Sequence, residues 1–267
     1  MKRRTAIVLL ALGTWAPAQA DEALKAALAG AQRTPAYAAR DAWRHPYETL
    51  SFFGLRPDMT VVEIKPGGGW YTEILAPYLR ERGRLILAAD DPDSASAYYR
   101  RSAERLQHRL QAQPAVYDRV QVTVFEPPRR LQMAAAGTVD LVLTFRNVHN
   151  WAADGDDVVK AVFRSVHDSL KRGGVFGVVE HRLPADRVPD PKAASGYLHQ
   201  AHVTRLAESV GFTLAAASEI NANPRDSADH EGGVWALPPS YANKDKDRAR
   251  YAAIGESDRM TLKFVKR

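Results

Sequence analysis

The chain has 267 residues, 45% of them apolar, enough for a sizeable core in one large α/β domain or two small ones and contrary to the composition of a disordered chain. It contains no cysteine, which excludes a disulfide framework, a zinc–cysteine site and a cysteine nucleophile. The formal charge of +6 includes three positive charges in the first twenty residues and so is +3 beyond them; the basic residues are scattered rather than striped, and nucleic acid is not expected as a partner.

Those first twenty residues, MKRRTAIVLLALGTWAPAQA, combine a basic start, a short apolar run and the small residues Ala18 and Ala20. This is the pattern of a secretory signal peptide cut after Ala20, and the run is too short to span a membrane. The expected product is an exported protein, periplasmic or secreted, with no stable membrane insertion after cleavage. Residues 21–56 then read as a helical cap, broken near Pro35 and Pro46. Within it, Arg40–Leu55 carries Arg44, His45, Tyr47 and Glu48 just ahead of the first strand, where it either covers a site or simply starts a helix at Pro46.

From residue 57 onward, apolar runs alternate with helical patterns. Strands are expected at Thr60–Ile64, Arg84–Ala89, Val120–Phe125, Val139–Thr144 and Val175–Glu180. Such alternation implies βαβ crossovers and a mostly parallel sheet. Between the last two runs, Val158, Val159, Val162, Phe163, Val166 and Leu170 recur at helical steps, which predicts a helix over Asp156–Leu170 with acidic residues at its positive end and Gly173 as its stop. A helix near Gly196–Val210, a strand at Phe212–Ile220 and a final strand at Met260–Lys266 complete the pattern. The intervening stretch, about 221–259, is a long insertion that either packs over a site or stays unstructured; Trp235, Leu237 and Tyr241 favour packing.

The chemistry-bearing stretch is VVEIKPGGGW, a buried strand running into Gly67, Gly68 and Gly69. In an open parallel sheet, ligands bind beyond the carboxyl ends of the strands where the strand order reverses, and glycines there admit a ligand to the backbone. A dinucleotide fingerprint requires a glycine at position 72, which is Thr72, and Glu63 does not suit a pyrophosphate; a nicotinamide-dependent oxidoreductase is disfavoured.

Five ordered stretches, VVEIKPGGG, RLILAADD, VTVFEPP, VDLVLTFRNVHNW and LKRGGVFGVVEH, together resemble the class I S-adenosylmethionine-dependent methyltransferases over most of the chain beyond residue 20. The resemblance implies a Rossmann-like, doubly wound seven-stranded α/β sheet, mostly parallel with an antiparallel last strand and helices on both faces. It implies S-adenosylmethionine as cofactor, with Glu63 near the methionine amino group, Gly67, Gly68 and Gly69 at the turn, Asp90 on the ribose hydroxyls, Phe125 or Glu126 near the adenine and Asn147 at the end of the fourth strand. Lys65 departs from it, standing where the family usually has its first glycine. His149 and His181, leaving the fourth and fifth strands, are the candidate bases for methyl transfer to a small-molecule acceptor. Trp70, Tyr71 and Trp151 are candidate pocket walls. No metal is expected, since His149, His181, His199 and Glu180 lack a recognisable ligand spacing. The alternative is an exported protein that uses the same fold to hold a nucleoside-like or other small ligand without turnover.

Overall fold

The computed structural model describes residues 21–267; the expected signal peptide lies outside the described residues. Four short helices come first: α1 (Glu22–Ala29), α2 (Pro35–Ala38), α3 (Asp41–Arg44) and α4 (Pro46–Phe53). Asp21 caps α1 by accepting the Leu24 N–H at 3.0 Å, Pro46 begins α4, and Gly54 ends it in the left-handed conformation that a side chain would disfavour.

The alternating part follows as β1 (Thr60–Ile64), α5 (Thr72–Leu79), β2 (Arg84–Ala89), α6 (Ala97–Ala112), α7 (Pro114–Tyr117), β3 (Gln121–Val124), β4 (Val139–Phe145), α8 (Val148–Ala152), α9 (Asp156–Ser169), β5 (Leu170–His181), α10 (Gln200–Glu208), β6 (Phe212–Ser218), α11 (Arg248–Ile254) and β7 (Arg259–Lys266). The seven strands form one sheet in the order β3-β2-β1-β4-β5-β7-β6, parallel from β3 to β5, with β7 antiparallel to both its neighbours. The order therefore reverses between β1 and β4, the place where this architecture opens a crevice.

Strand periodicity divides the apolar side chains between two cores. Val62, Val142 and Phe176 pack with α9 and α10 on one face, while Val61, Leu141 and Val179 pack with α1, α4 and α5 on the other. Fully buried Glu73 of α5 fastens the cap to this second face: it accepts from the Thr34 N–H at 3.0 Å, ion-pairs with Arg109, and lies 3.5 Å from Arg33.

One local expectation is corrected. Gly173 does not stop α9, which ends at Ser169 where Leu170 turns extended; Gly173 lies instead inside β5, in a stretch bulging out between the Val139–Leu170 and Leu141–Val175 pairs. The insertion is ordered, with a 3-10 turn at Gly233–Ala236 and a small core of Ala236, Leu237, Tyr251 and Ile254. Asn221 ties it to the body by donating to Thr49 and Thr261, each at 3.0 Å, and Asn223 donates to the Ile254 and Glu256 carbonyls. No described helix is long and apolar enough to cross a membrane.

Candidate functional site

Two neighbouring strands, β1 and β4, each leave the sheet through a non-glycine residue with positive φ: Lys65 at 49° and Arg146 at 61°. Both backbones are still held by the sheet, Lys65 N–H by the Ala88 carbonyl at 2.8 Å and Arg146 N–H by that of Val179 at 2.7 Å. Strain of this kind persists only where the surroundings enforce it, and it concentrates at functional sites. Lys65 thus takes up the conformation of a glycine at the departure point of the turn. Its side chain does not reach into solvent: the ammonium ion-pairs with Asp90 at the end of β2 and sits 4.4 Å from the centre of the Tyr99 ring.

The turn itself joins β1 to α5. Gly67 and Gly69 have φ of 58° and 83°, and a side chain at Gly67 would meet open space. Gly68 is covered, since a Cβ there would come within 2.4 Å of the Tyr37 hydroxyl. Tyr37 belongs to the cap, donates to the Gly68 carbonyl at 3.3 Å and accepts from Trp70 Nε1 at 3.0 Å through its own carbonyl. Glu63 is buried beneath the turn, and Thr72 donates to its Oε2 at 2.7 Å. Burial raises the Glu63 carboxyl to about 7, against which the Thr72 bond is the weaker influence. Tyr37, Glu63, Gly67, Gly68 and Trp70 border a cavity of about 230 Å³ that also takes in Arg40, Arg44, Arg146 and Asn147.

The same four residues border a second cavity of about 320 Å³, on whose wall stand His149, His181, Trp235 and Ser257. Glu180 of β5, fully buried, accepts four hydrogen bonds: from the N–H groups of Val148 (2.6 Å), His149 (3.3 Å) and His181 (2.8 Å), and from His149 Nδ1 (2.9 Å). A carboxylate in that position can only accept, so the shared hydrogen bond carries a proton on His149 Nδ1, and Nε2 makes no hydrogen bond to any described residue. His181 Nδ1 lies 2.6 Å from Ser257 Oγ, and the two imidazoles are 5.4 Å apart. Burial first, then the neighbouring His149 imidazole and the guanidinium groups of Arg146, Arg259 and Arg44, push His181 well below its ordinary value.

The third component comes from the chain's two ends. Glu256, buried at the end of the insertion, meets Arg40 at 2.7 Å, Arg44 at 3.1 Å, Arg259 at 3.0 Å and Arg146 at 4.0 Å. Burial alone would raise its carboxyl, but Arg44, Arg259, Arg146 and Arg40 outweigh it and hold it at about 2. Gly255 lets this carboxylate approach, because a Cβ there would fall 2.2 Å from the Trp43 ring.

The structure thus brings Glu63, Gly67, Gly68, Asn147, His149 and His181 to two adjoining cavities at the order reversal. Asn147 donates to the Ile64 carbonyl and to Thr144, both at 3.1 Å, which fixes its amide between β1 and β4. Gly69 sits beside Arg109, and Glu126 beyond β3 accepts from Ser94 and pairs with Arg129, each at 2.9 Å. One expectation fails. Phe125 is fully buried and Trp151 nearly so; they pack on each other in the sheet core and border neither cavity. His199 and His202 lie away from both cavities: His199 Nε2 contacts the Arg187 carbonyl and His202 Nε2 contacts Asp156. Ligand atoms of His149, Glu180 and His181 do lie within 4.8 Å of one another, although no such grouping is expected from their spacing. A cation there would face the arginine group, and Glu180 has already committed its oxygens to four donors. Arg40, Glu256 and Ser257 carry no sequence signal; they count only because of where the fold puts them.

The residues also suit S-adenosylmethionine at the points where the fold would place it. Asp90 gives Oδ1 to Lys65 but its Oδ2 accepts from no described residue, and Glu63 likewise keeps Oε1 without a partner. No protein-family model matches the chain, and no curated protein matches it either. Its structure is similar to that of an S-adenosylmethionine-dependent methyltransferase from Aquifex aeolicus (16% identity, 71% of this chain and 89% of that one, TM-score 0.52). It is also similar to geranyl diphosphate C-methyltransferase from Streptomyces coelicolor A3(2) (15% identity, 91% and 88%, TM-score 0.57) and to a possible exported protein from Bordetella parapertussis (16% identity, 88% and 70%, TM-score 0.50). At these identities the likeness is one of fold: the chain has the Rossmann-like, seven-stranded fold of the class I S-adenosylmethionine-dependent methyltransferases.

Proposed function

We propose that the protein is an exported S-adenosylmethionine-dependent methyltransferase acting on a small molecule. The observation that supports it most is the joining of two cavities through Arg40, Arg44, Arg146 and Asn147, one bordered by Glu63 and the glycine turn and the other by His149, whose Nδ1 is held by Glu180. When bound, S-adenosylmethionine supplies a methyl group on a positively charged sulfur. Glu63 would hold the methionine amino group, Asp90 Oδ2 a ribose hydroxyl, and Asn147 the rim between the two cavities. His149 Nε2 would take the proton of the acceptor, with Glu180 stabilising the imidazolium that results. Export rests on the first twenty residues; Asp21, the expected first residue after the cut, is the cap of α1.

Calorimetry with S-adenosylhomocysteine tests the cofactor assignment. Asp90→Ala weakens binding by about 1.5–3 kcal/mol, the range for a hydrogen bond to a charged group, with the fold intact. Glu63 adds a pH signature. Its carboxyl is held at about 7, so below that pH it is protonated and attracts no ammonium. Affinity therefore falls by about tenfold per pH unit on the acid side and levels off above about 7, and Glu63→Gln abolishes the slope. A flat profile in the wild type removes Glu63 from the ligand.

One observation favours a second reading, in which the protein binds a small ligand without turnover: the Lys65 ammonium already occupies Asp90. Lys65→Met separates the two. If the wild type binds S-adenosylhomocysteine and the variant binds it no more than slightly better, Lys65 is a neighbour of the ribose site; if only the variant binds it, Lys65 closes that site and the second reading stands.

A further inference from the structure

The arginine group beside His149 is under-neutralised. Four guanidinium groups, those of Arg40, Arg44, Arg146 and Arg259, surround the single carboxylate of Glu256, the only carboxylate among the described residues that borders the larger cavity. Glu180 lies behind His149 and is already engaged by four donors, so even counting it, positive charge exceeds negative. The geometry of the pairs leaves the recognition ends free. Arg40 and Arg44 both hold Glu256 through Nε, and Arg146 approaches it no closer than 4.0 Å; the terminal nitrogens of all three make no hydrogen bond to any described residue. Arg44 is only 4% exposed, and its affinity for its proton is lowered first by burial and next by the closeness of Arg146. A desolvated guanidinium with unused forked donors, crowded by like charge, is satisfied by an anion with two or more oxygens. A metal cation at the adjacent His149 and His181 would be repelled by the same charges.

We propose that this cavity is a built receptor for an oxyanion, a carboxylate or phosphate group, carried by the small molecule that faces His149. Resting on the methyltransferase reading, this makes the methyl acceptor an anionic compound, its charged group on Arg40, Arg44 and Arg146 and its reacting proton towards His149 Nε2. The cavity, about 320 Å³, admits a small molecule, and Trp235 offers its body an aromatic wall. The strained backbone of Arg146 then has a reason: it turns the residue leaving β4 into the cavity.

The probe is inorganic phosphate, titrated into the full chain beyond residue 20 by calorimetry at low ionic strength, with and without saturating S-adenosylhomocysteine. The expected result is a dissociation constant of about 1 mM or tighter, weakened by about tenfold or more in Arg146→Met. It should change little when S-adenosylhomocysteine is present. Should Arg146→Met fail to fold, Arg40→Met, on the cap side of the group, serves in its place with the same expectation. Absence of binding at about 10 mM phosphate, or binding indifferent to both substitutions, overturns the proposal. So does competition between phosphate and S-adenosylhomocysteine with equal loss of both in Arg146→Met, which assigns the arginines to the cofactor's own carboxylate. Phosphate binding that depends on Arg146 in a protein that never binds S-adenosylhomocysteine leaves the receptor standing and removes the methyltransferase reading.

Discussion

His149→Ala lowers methyl transfer by about 10²–10⁴-fold while S-adenosylhomocysteine affinity stays at the wild-type level, because a general base contributes to the transition state and not to cofactor binding. The measurement is incorporation of a labelled methyl group from S-adenosylmethionine into the small-molecule fraction of an extract of the native compartment. Glu180→Gln should show the same loss, since an amide in place of the four-fold acceptor no longer fixes the imidazole with Nδ1 protonated. His181 is the rival base and the weaker one: burial and the positive groups around it keep it neutral, and Ser257 engages its Nδ1. Normal turnover in His149→Ala with none in His181→Ala would transfer the role. Activity in both would mean an acceptor that needs no base, such as a thiolate.

Glu256→Gln destabilises the fold by about 3–5 kcal/mol, the usual result of removing one partner from a buried ionic group and leaving the others without compensation. Urea unfolding near pH 7 measures it, with an unchanged slope expected for a loss of stability alone. The pH dependence carries the same information with a definite sign. The Glu256 carboxyl is held at about 2 in the folded chain, below its ordinary 4.5. Its contribution, of order 3 kcal/mol, is therefore fully present above about 4.5 and is lost as the pH falls towards 2. The wild type should lose stability across that window more steeply than Glu256→Gln, and parallel curves for the two would show that the arginines do not depend on this carboxylate. Because the group links Arg40 and Arg44 of the cap to Arg259 at the start of β7, the variant should also loosen the cap, seen as faster amide exchange over α3.

What could be read from the sequence is what neighbouring residues decide among themselves. The strand and helix alternation was legible because side chains on one face of an element repeat at its own period, as Val159, Val162, Phe163 and Val166 do along α9. The turn after β1 was legible because three glycines directly follow a buried strand, and His149 and His181 because leaving a parallel strand at its carboxyl end places a residue at the crevice. The antiparallel β7 came only from resemblance to a known family, since a single strand's pattern is the same in either direction.

Tertiary structure decided which of these residues meet, and which are free to act. Trp151 has the character of a pocket wall, yet the sheet closes over it and Phe125; Lys65 stands where a glycine is usual, yet Asp90 just beyond β2 engages its ammonium. The insertion's aromatic residues hinted that it packs, but only the fold shows that it ends by delivering Glu256 to arginines of the cap. Arg44 and Glu256 are 212 residues apart, and Arg40 and Glu256 are 216. No local pattern encodes such a meeting: side-chain periodicity reports which face is buried, whereas a charge cluster assembled from two chain ends depends on how loops close, and the same charged residues on a solvated surface would read identically in the sequence.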